Sequence, residues 1–507
     1  MPKGVIAAGD RLTARAGARI LEEGGNAFDA ACAAMLAAPL AEPMLTSLGG
    51  GGFLMAHSPG ESAVLYDFFV DVPPQRCERP DFYPIDVDFG TTVQQFHIGA
   101  ASTAVPGMPA GIDRIHRERG RLPMERIVAP AVEYAREGIR LSELQASFVC
   151  LLEPILRSTE ASRALFVPEG CLLDAKRPVR NPDYADFLEA FAREGADLFY
   201  QGEIAQRLDR LYREASGSLR REDLERYEVH KREPIGFDYR GYRVATNPPP
   251  SAGGILIAFT LELLRRSEAR SSETLEYVRD LIEAMAVTGE FRKEQVDARL
   301  HDPELAKVVT DHALLLHYFE RFDRRIDLWG NTTHISVIDA EGNAASVTST
   351  NGEGSGIVAP GTGIMMNNML GEEDLNPHGF FQWPAGVRLP SMMAPTMAFD
   401  PEGSPVLILG SAGSNRIRSA IVEVVERYLR FGEPIRNAVD APRIHYEKGE
   451  LFFEPGYSPE ILEAARRLYP VTEFDGPSLF FGGVNAVTGD YSGAADSRRG
   501  GAVEVVS

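Results

Sequence analysis

Near residue 330 the hydrophobic pattern changes period, and a chain with that change has to pack helices against strands. Thr332-Thr333-His334-Ile335-Ser336-Val337-Ile338-Asp339 alternates, Glu341-Gly342-Asn343 supplies a turn, and Ala344 to Thr350 returns. This spacing predicts a β-hairpin. Two further hairpins are predicted to turn at Asp400-Pro401-Glu402-Gly403 and at Thr488-Gly489-Asp490, with Ile417, Ile421, Val424 and Tyr428 marking a helix between them. The first two-thirds reads mainly as helices. Leu12, Ala16 and Ile20 share one helical face that Gly24-Gly25 closes, and residues 28–38 form an alanine-rich helix. Met124, Ile127, Val128 and Ala131, and Leu275, Val278, Ile282 and Met285, keep the same spacing; Pro248 to Gly254 punctuates the chain before an apolar helix, Ile255 to Leu264. Together these predict a layered α/β or α+β architecture. The polar segment Glu304 to Asn331, with Arg321, Arg324 and Arg325, reads as an exposed linker.

Charge and composition remove several classes of function. Among 507 residues, 52 basic side chains face 73 acidic ones, a formal charge of -21. Nucleic-acid affinity comes mainly from basic groups neutralising phosphates, and no basic stripe is present, so no nucleic acid is expected as a partner. The longest apolar stretch, Ala30 to Ala41, is far short of the ~20 residues of a spanning helix and contains Pro39, so no membrane is expected either. Met1 to Ile6 lacks a signal-peptide pattern, which predicts a cytoplasmic location. Cys32, Cys77, Cys150 and Cys171 show no CxxC spacing, and the chain has neither HExxH nor GxxxxGK[ST], so zinc-protease and P-loop chemistry fall away. The length suits about three units of ~150 residues or one large intertwined domain.

Asn331-Thr332-Thr333-His334 sets a threonine where a helical region gives way to a strand. A threonine hydroxyl is a poor nucleophile without a base beside it, and a free N-terminal threonine carries that base as its own α-amine. The α-amine pKa, roughly 7.7–8.0, suits proton transfer near neutrality. To expose it, the hydroxyl must first attack the Asn331 carbonyl and cut the chain. On the dipeptide alone the plainer reading is favoured, with Thr332 and Thr333 as β-formers opening an ordinary strand.

The wider sequence resembles the γ-glutamyltransferase (glutathione hydrolase) family of N-terminal-nucleophile hydrolases along nearly its whole length. The resemblance is carried in order by Gly24 to Ala31, Glu42-Pro43, Leu48 to Phe53, Ala104 to Gly107, Asp238 to Tyr242 and Pro248 to Gly254. It continues through Thr332 to Val337, Gly363 to Asn368, Ser391 to Thr396, Ala441-Pro442-Arg443 and Ala495 to Arg498. The resemblance implies an α+β fold, a four-layer αββα sandwich, made as a proenzyme that cuts itself between Asn331 and Thr332. Residues 1–331 would form the large segment and 332–507 the small one, together one intertwined domain. Thr332 then matches the nucleophile and Thr350 the threonine that hydrogen-bonds it. Gly410-Ser411-Ala412-Gly413-Ser414-Asn415 joins a strand to a helix N-terminus, where backbone amides favour anions, and matches the family's oxyanion turn with Gly413 and Ser414 as donors. The plain alternative is a structural turn with Asn415 as helix cap.

Departures concentrate where the family binds substrate. Met369 stands where a glutamine amide is expected after Asn367-Asn368, and Glu372, at the ungapped position, or Glu373 or Asp374, replaces the aspartate that holds the α-amino group. The family's serine pair becomes Ser391-Met392, and the asparagine two places after Thr350 becomes Gly352, with Asn351 beside it as a substitute. Phe69-Val70 replaces Arg-Glu after Asp67-Phe68, leaving Arg79, with Arg76, as the arginine candidate for the α-carboxylate. The expected partners are a small-molecule amide and water or an amine acceptor. No metal or organic cofactor is implied. Two alternatives stay open: an acylase acting on a non-γ-glutamyl amide, and an unprocessed binding protein.

Overall fold

In the computed structural model, which describes residues 2–88, 93–302, 304–310, 332–447 and 449–507, two antiparallel sheets stack face to face. The first runs, in spatial order, Ala502–Val506, Gly4–Ala8, Thr333–Asp339, Ala344–Thr350, Gly51–His57, Val64–Phe68 and His230–Arg232. The second runs Gly493–Ala495, Gly483–Thr488, Pro405–Ala412, Thr396–Phe399, Tyr242–Thr246 and Ile235–Tyr239. Val5, Ala7, Phe53 and Met55 of the first share one apolar core with Ile408 and Val487 of the second.

Helices cover both outer faces. Ile6, Ala8, Ile335 and Val337 point away from the second sheet, into a separate core with the helices Arg11–Glu22, Ala27–Ala41, Met108–Arg119 and Met124–Glu137. Ala27–Ala41 is buried almost all round, which suits an alanine-rich helix, and Asn26 starts it with a reciprocal capping box to Asp29. On the other side Ala252–Leu264, Leu275–Phe291 and Ile417–Val425 back the second sheet. The result is the four-layer α+β sandwich.

The hairpins and helices lie where the periodicity sets them, with two differences. Helix does dominate the first two-thirds, but Gly51–His57 and Val64–Phe68 contribute two of the seven strands of the first sheet, which the periodicity does not mark. The segment read as an exposed linker opens with a short 3₁₀ turn, Leu305–Thr310, whose Leu305 is fully buried against the inner core. The rest of that segment, with Arg321, Arg324, Arg325 and Asn331, lies outside the described residues. No helix among the described residues is long and apolar enough to cross a membrane.

Candidate active site

Thr333 pairs with Ser349 in the central hairpin, so the same register carried one residue further sets Thr332 opposite Thr350. Both are buried. Thr350 is therefore not an exposed strand residue, and its Oγ1 accepts the Gly352 amide at 3.0 Å.

Alternation turns Thr332, His334 and Ser336 toward the second sheet, together with Thr350, Thr348 and Ser346 of the return strand. A polar patch thus forms inside the sandwich and is satisfied internally. His334 Nδ1 bonds Thr348 Oγ1 at 2.7 Å and Nε2 bonds Ser336 Oγ at 2.9 Å. Ser346 donates to the Leu409 carbonyl at 2.9 Å, and Asn485 Nδ2 to the His334 carbonyl at 2.7 Å, tying sheet to sheet. Burial pushes the His334 pKa down to about 3, so the ring is neutral with both nitrogens engaged. A side chain on Gly410 would strike the His334 ring at 2.3 Å, so the imidazole rests on bare backbone. Ser346 meets Leu409 and His334 meets Gly410; one step on, the contacts lead to Thr332 on one sheet and the 411–414 turn on the other.

That turn has special backbone geometry. Gly413 has φ 114° and Ser414 φ 51°, after which the chain enters a 3₁₀ turn and the helix Ile417–Val425. A Cβ on Gly413 would stand 2.7 Å from the Gly482 Cα, so glycine is required on both counts. Neither the Gly413 nor the Ser414 amide is spent on a hydrogen bond to a described residue. The Ser414 hydroxyl donates to Asp374, and Asn415 accepts from Arg292 Nη1 at 2.9 Å rather than capping the helix. The serine that replaces the family's second glycine is thus locked by its side chain while its amide stays available.

Glu42 anchors the hairpin from the opposite face. Its carboxylate accepts from Thr333 Oγ1 at 2.6 Å and Thr13 Oγ1 at 2.7 Å. Burial, and then the charge of Asp10, raise its pKa to about 7 against the pull of the two hydroxyls and Arg499.

Beyond Thr350 lies an acidic group. Gly352, at φ 63°, has no room for the side chain the family carries there: a Cβ would lie 2.2 Å from Asn368 Oδ1 and 2.3 Å from Glu372 Oε1. Glu372 occupies that space instead, its Oε1 enclosed and unpartnered, as is the Oδ1 of buried Asn351. Burial first, then the mutual repulsion of Glu353, Glu372 and Asp374, raises the pKa of Glu372 well above its ordinary value. Glu353 and Asp374 are raised as well, chiefly by burial. Met369 does not line this group; it is fully buried in the larger apolar core.

The remaining predicted residues are placed less closely. Ser391 is buried, its Oγ accepting the Met393 amide at 3.0 Å, and Met392 packs into the core. Phe69, where the family has an arginine, is fully buried and stacks on Phe53 at 5.4 Å. Arg79 is exposed, and exposed Arg76 donates to the Trp383 carbonyl at 2.9 Å; no contact joins either to the Thr332–Thr350 pair. Sequence reasoning missed the inter-sheet role of His334 and the anchoring role of Glu42. A carboxylate ending a helix whose only other charged residue is Asp29, in its first turn, was the available signal for Glu42.

Residues 13–506 match the family model described as gamma-glutamyltranspeptidase. The chain is 30% identical to the glutathione hydrolase proenzyme of Escherichia coli K12, over 91% of this chain and 84% of that protein. It is 29% identical to the acylase ACY 1 proenzyme of Pseudomonas sp. SE83, over 100% and 94% of the two chains. Its fold matches the crystal structure of the cephalosporin acylase from Bacillus halodurans with a TM-score of 0.86 at 24% identity, covering 99% of this chain and 96% of that one.

Proposed function

The chain belongs to the gamma-glutamyltranspeptidase family and is an enzyme of that family; on this premise we propose that it is a self-processing threonine amidohydrolase with Thr332 as nucleophile. The observation that carries the reading is the cross-strand placement of Thr332 and Thr350, at the sandwich end where the Gly413 and Ser414 amides are unspent. Maturation begins when the Thr332 hydroxyl attacks the Asn331 carbonyl; the peptide C–N bond breaks, an ester forms on Oγ1, and water hydrolyses it. This frees the Thr332 α-amine. In turnover that amine takes the hydroxyl proton as Oγ1 attacks the substrate amide, and the tetrahedral oxyanion is held by the two turn amides. The proton passes to the leaving amine, and water or an acceptor amine then cleaves the acyl ester. His334 is not the base, because burial, which lowers its pKa to about 3, makes it a poor proton acceptor and both its nitrogens are already bonded.

For the acyl group, the free acceptors Asn351 Oδ1 and Glu372 Oε1 support an amide bearing an ammonium group, as γ-glutamyl amides do. Ser391 is left to serve the α-carboxylate. A second reading, an acylase for other acyl groups, is favoured by Phe69 in the core where a carboxylate-binding arginine is otherwise expected. Three anilides separate them: γ-glutamyl, glutaryl (lacking the amino group) and 4-aminobutyryl (lacking the carboxylate). The account expects kcat/KM for γ-glutamyl anilide to exceed that for glutaryl anilide by roughly tenfold or more, the gap closing in Glu372→Gln. Glutaryl preferred over γ-glutamyl establishes the second reading. Turnover by Thr332→Ala would sink both.

A further inference from the structure

The serine of the oxyanion turn sets a conformational problem that the chain has to solve. Ser414 sits at φ 51°, in the left-handed region. A side chain is unfavourable there because Cβ crowds a neighbouring carbonyl oxygen. Glycine, which the family carries at this place, escapes the penalty, and asparagine and aspartate tolerate it better than serine does. A serine left to itself relaxes to negative φ, and its amide turns away with it. Such a conformation persists only where the surroundings over-determine it.

Asp374, on the 3₁₀ turn Glu373–Leu375, supplies that constraint. The Ser414 hydroxyl donates to Asp374 Oδ2, and Asn415 Nδ2 reaches Asp374 Oδ1 at 3.5 Å, the long limit of a hydrogen bond. Both carboxylate oxygens are thus turned to two successive residues of the oxyanion turn. Asn415 is oriented in its turn by Arg292, whose Nη1 donates to Asn415 Oδ1 at 2.9 Å while its Nε faces Asp297 Oδ1 at 3.0 Å. Burial, and then the Glu447 charge, raise the Asp374 pKa against the pull of the Ser414 hydroxyl, Arg292 and Arg416. The contacts that hold the turn therefore also favour the ionised, accepting carboxylate. Arg292 follows the helix Leu275–Phe291, before the proposed cut, whereas Asp374 and the turn come after it.

We propose that Asp374 is the positioning residue of the oxyanion turn: it holds Ser414 in the left-handed conformation that aims its amide at the acyl carbonyl, with Arg292 orienting Asn415 from the large segment. The proposal rests on the amidohydrolase reading for what the amide does, but the lock itself is testable by unfolding alone.

The test is a set of variants read by steady-state kinetics and by urea unfolding. Ser414→Ala, which keeps the Cβ and loses the hydroxyl, and Asp374→Ala should each lower kcat about tenfold, and the two together no further than either alone. Ser414→Gly should lose only about threefold, because glycine needs no lock at φ 51°, which reverses the order in which alanine and glycine are ordinarily tolerated. Adding Asp374→Ala to Ser414→Gly should then cost at most about twofold. Asp374→Asn, which keeps an acceptor for the hydroxyl, should recover part of the loss. Arg292→Met should lower kcat less than Asp374→Ala, and only while residue 414 is serine. The Asp374→Ala loss should fall on kcat, equally for each anilide that the wild type cleaves, since every acyl group needs the same donors.

Additive losses, or a Ser414→Gly enzyme slower than Ser414→Ala, overturn the proposal. So does a loss confined to KM or to γ-glutamyl anilide, which would make Asp374 a ligand of the substrate ammonium instead. In urea, Asp374→Ala should lower the unfolding midpoint of the wild type and leave that of Ser414→Gly unmoved; equal shifts in both overturn the lock. The expected midpoints in a protein that cleaves no anilide keep the lock and overturn the amidohydrolase reading.

Discussion

Two residues of the proposed mechanism carry opposite kinds of risk when changed. Thr350 contributes a hydroxyl in a place where its shape is easily replaced, so Thr350→Val should leave folding intact and lower kcat about tenfold with little change in KM, the loss of roughly one hydrogen bond. Steady-state kinetics on the γ-glutamyl anilide checks this. Gly413 contributes backbone alone. With φ at 114° and Gly482 Cα 2.7 Å from a new Cβ, Gly413→Ala should cost about 1–3 kcal/mol in urea unfolding, as strained left-handed positions do. It should also lower kcat by roughly 10²–10³, the usual effect of displacing an oxyanion donor. A Gly413→Ala enzyme with unchanged kcat would remove that turn from the mechanism.

At the scale of elements, the hairpin is clamped at its open end by Glu42, and this makes stability depend on pH. Burial and the Asp10 charge raise its pKa from 4.5 to about 7, so between those values the folded chain holds a proton that the unfolded chain has released. Stability from this group is full below pH 4.5 and is lost as pH rises toward 7. Relative to Glu42→Gln, the wild type should lose about 3 kcal/mol across that window, read from urea unfolding at several pH values. Parallel curves for the two proteins would contradict the assignment. The hairpin itself was legible because alternation survives in its sequence. Its polar face, however, looks into the sandwich rather than to solvent, which only the covering second sheet could reveal. Gly51–His57 was illegible for the opposite reason: a Cβ on Gly50 would lie 2.1 Å from the Thr350 carbonyl and one on Gly52 2.6 Å from that of Thr348. Close approach to the hairpin demands glycines, and glycines erase the strand pattern. The acidic group around Gly352 was half legible. Glu372 stood out by position, whereas Glu353 and the packing that excludes a side chain at Gly352 depend on contacts across the fold.

Across the whole molecule, a cut before Thr332 would divide the chain without dividing the fold. Thr333–Asp339 and Ala344–Thr350 sit between Gly4–Ala8 and Gly51–His57 in the first sheet, and Thr396–Phe399 pairs with Tyr242–Thr246 in the second. Residues 1–331 and 332–507 should therefore co-elute after processing and separate only in denaturant; fragments that part in native buffer would contradict this interlocking. The most direct measurement is intact mass with N-terminal sequencing of freshly purified protein during timed incubation, beside Thr332→Ala. The account predicts that a fragment beginning at Thr332 accumulates in the wild type and never in Thr332→Ala. A wild-type chain that stays whole while turning over substrate, or a Thr332→Ala chain cut at the same bond, would contradict it.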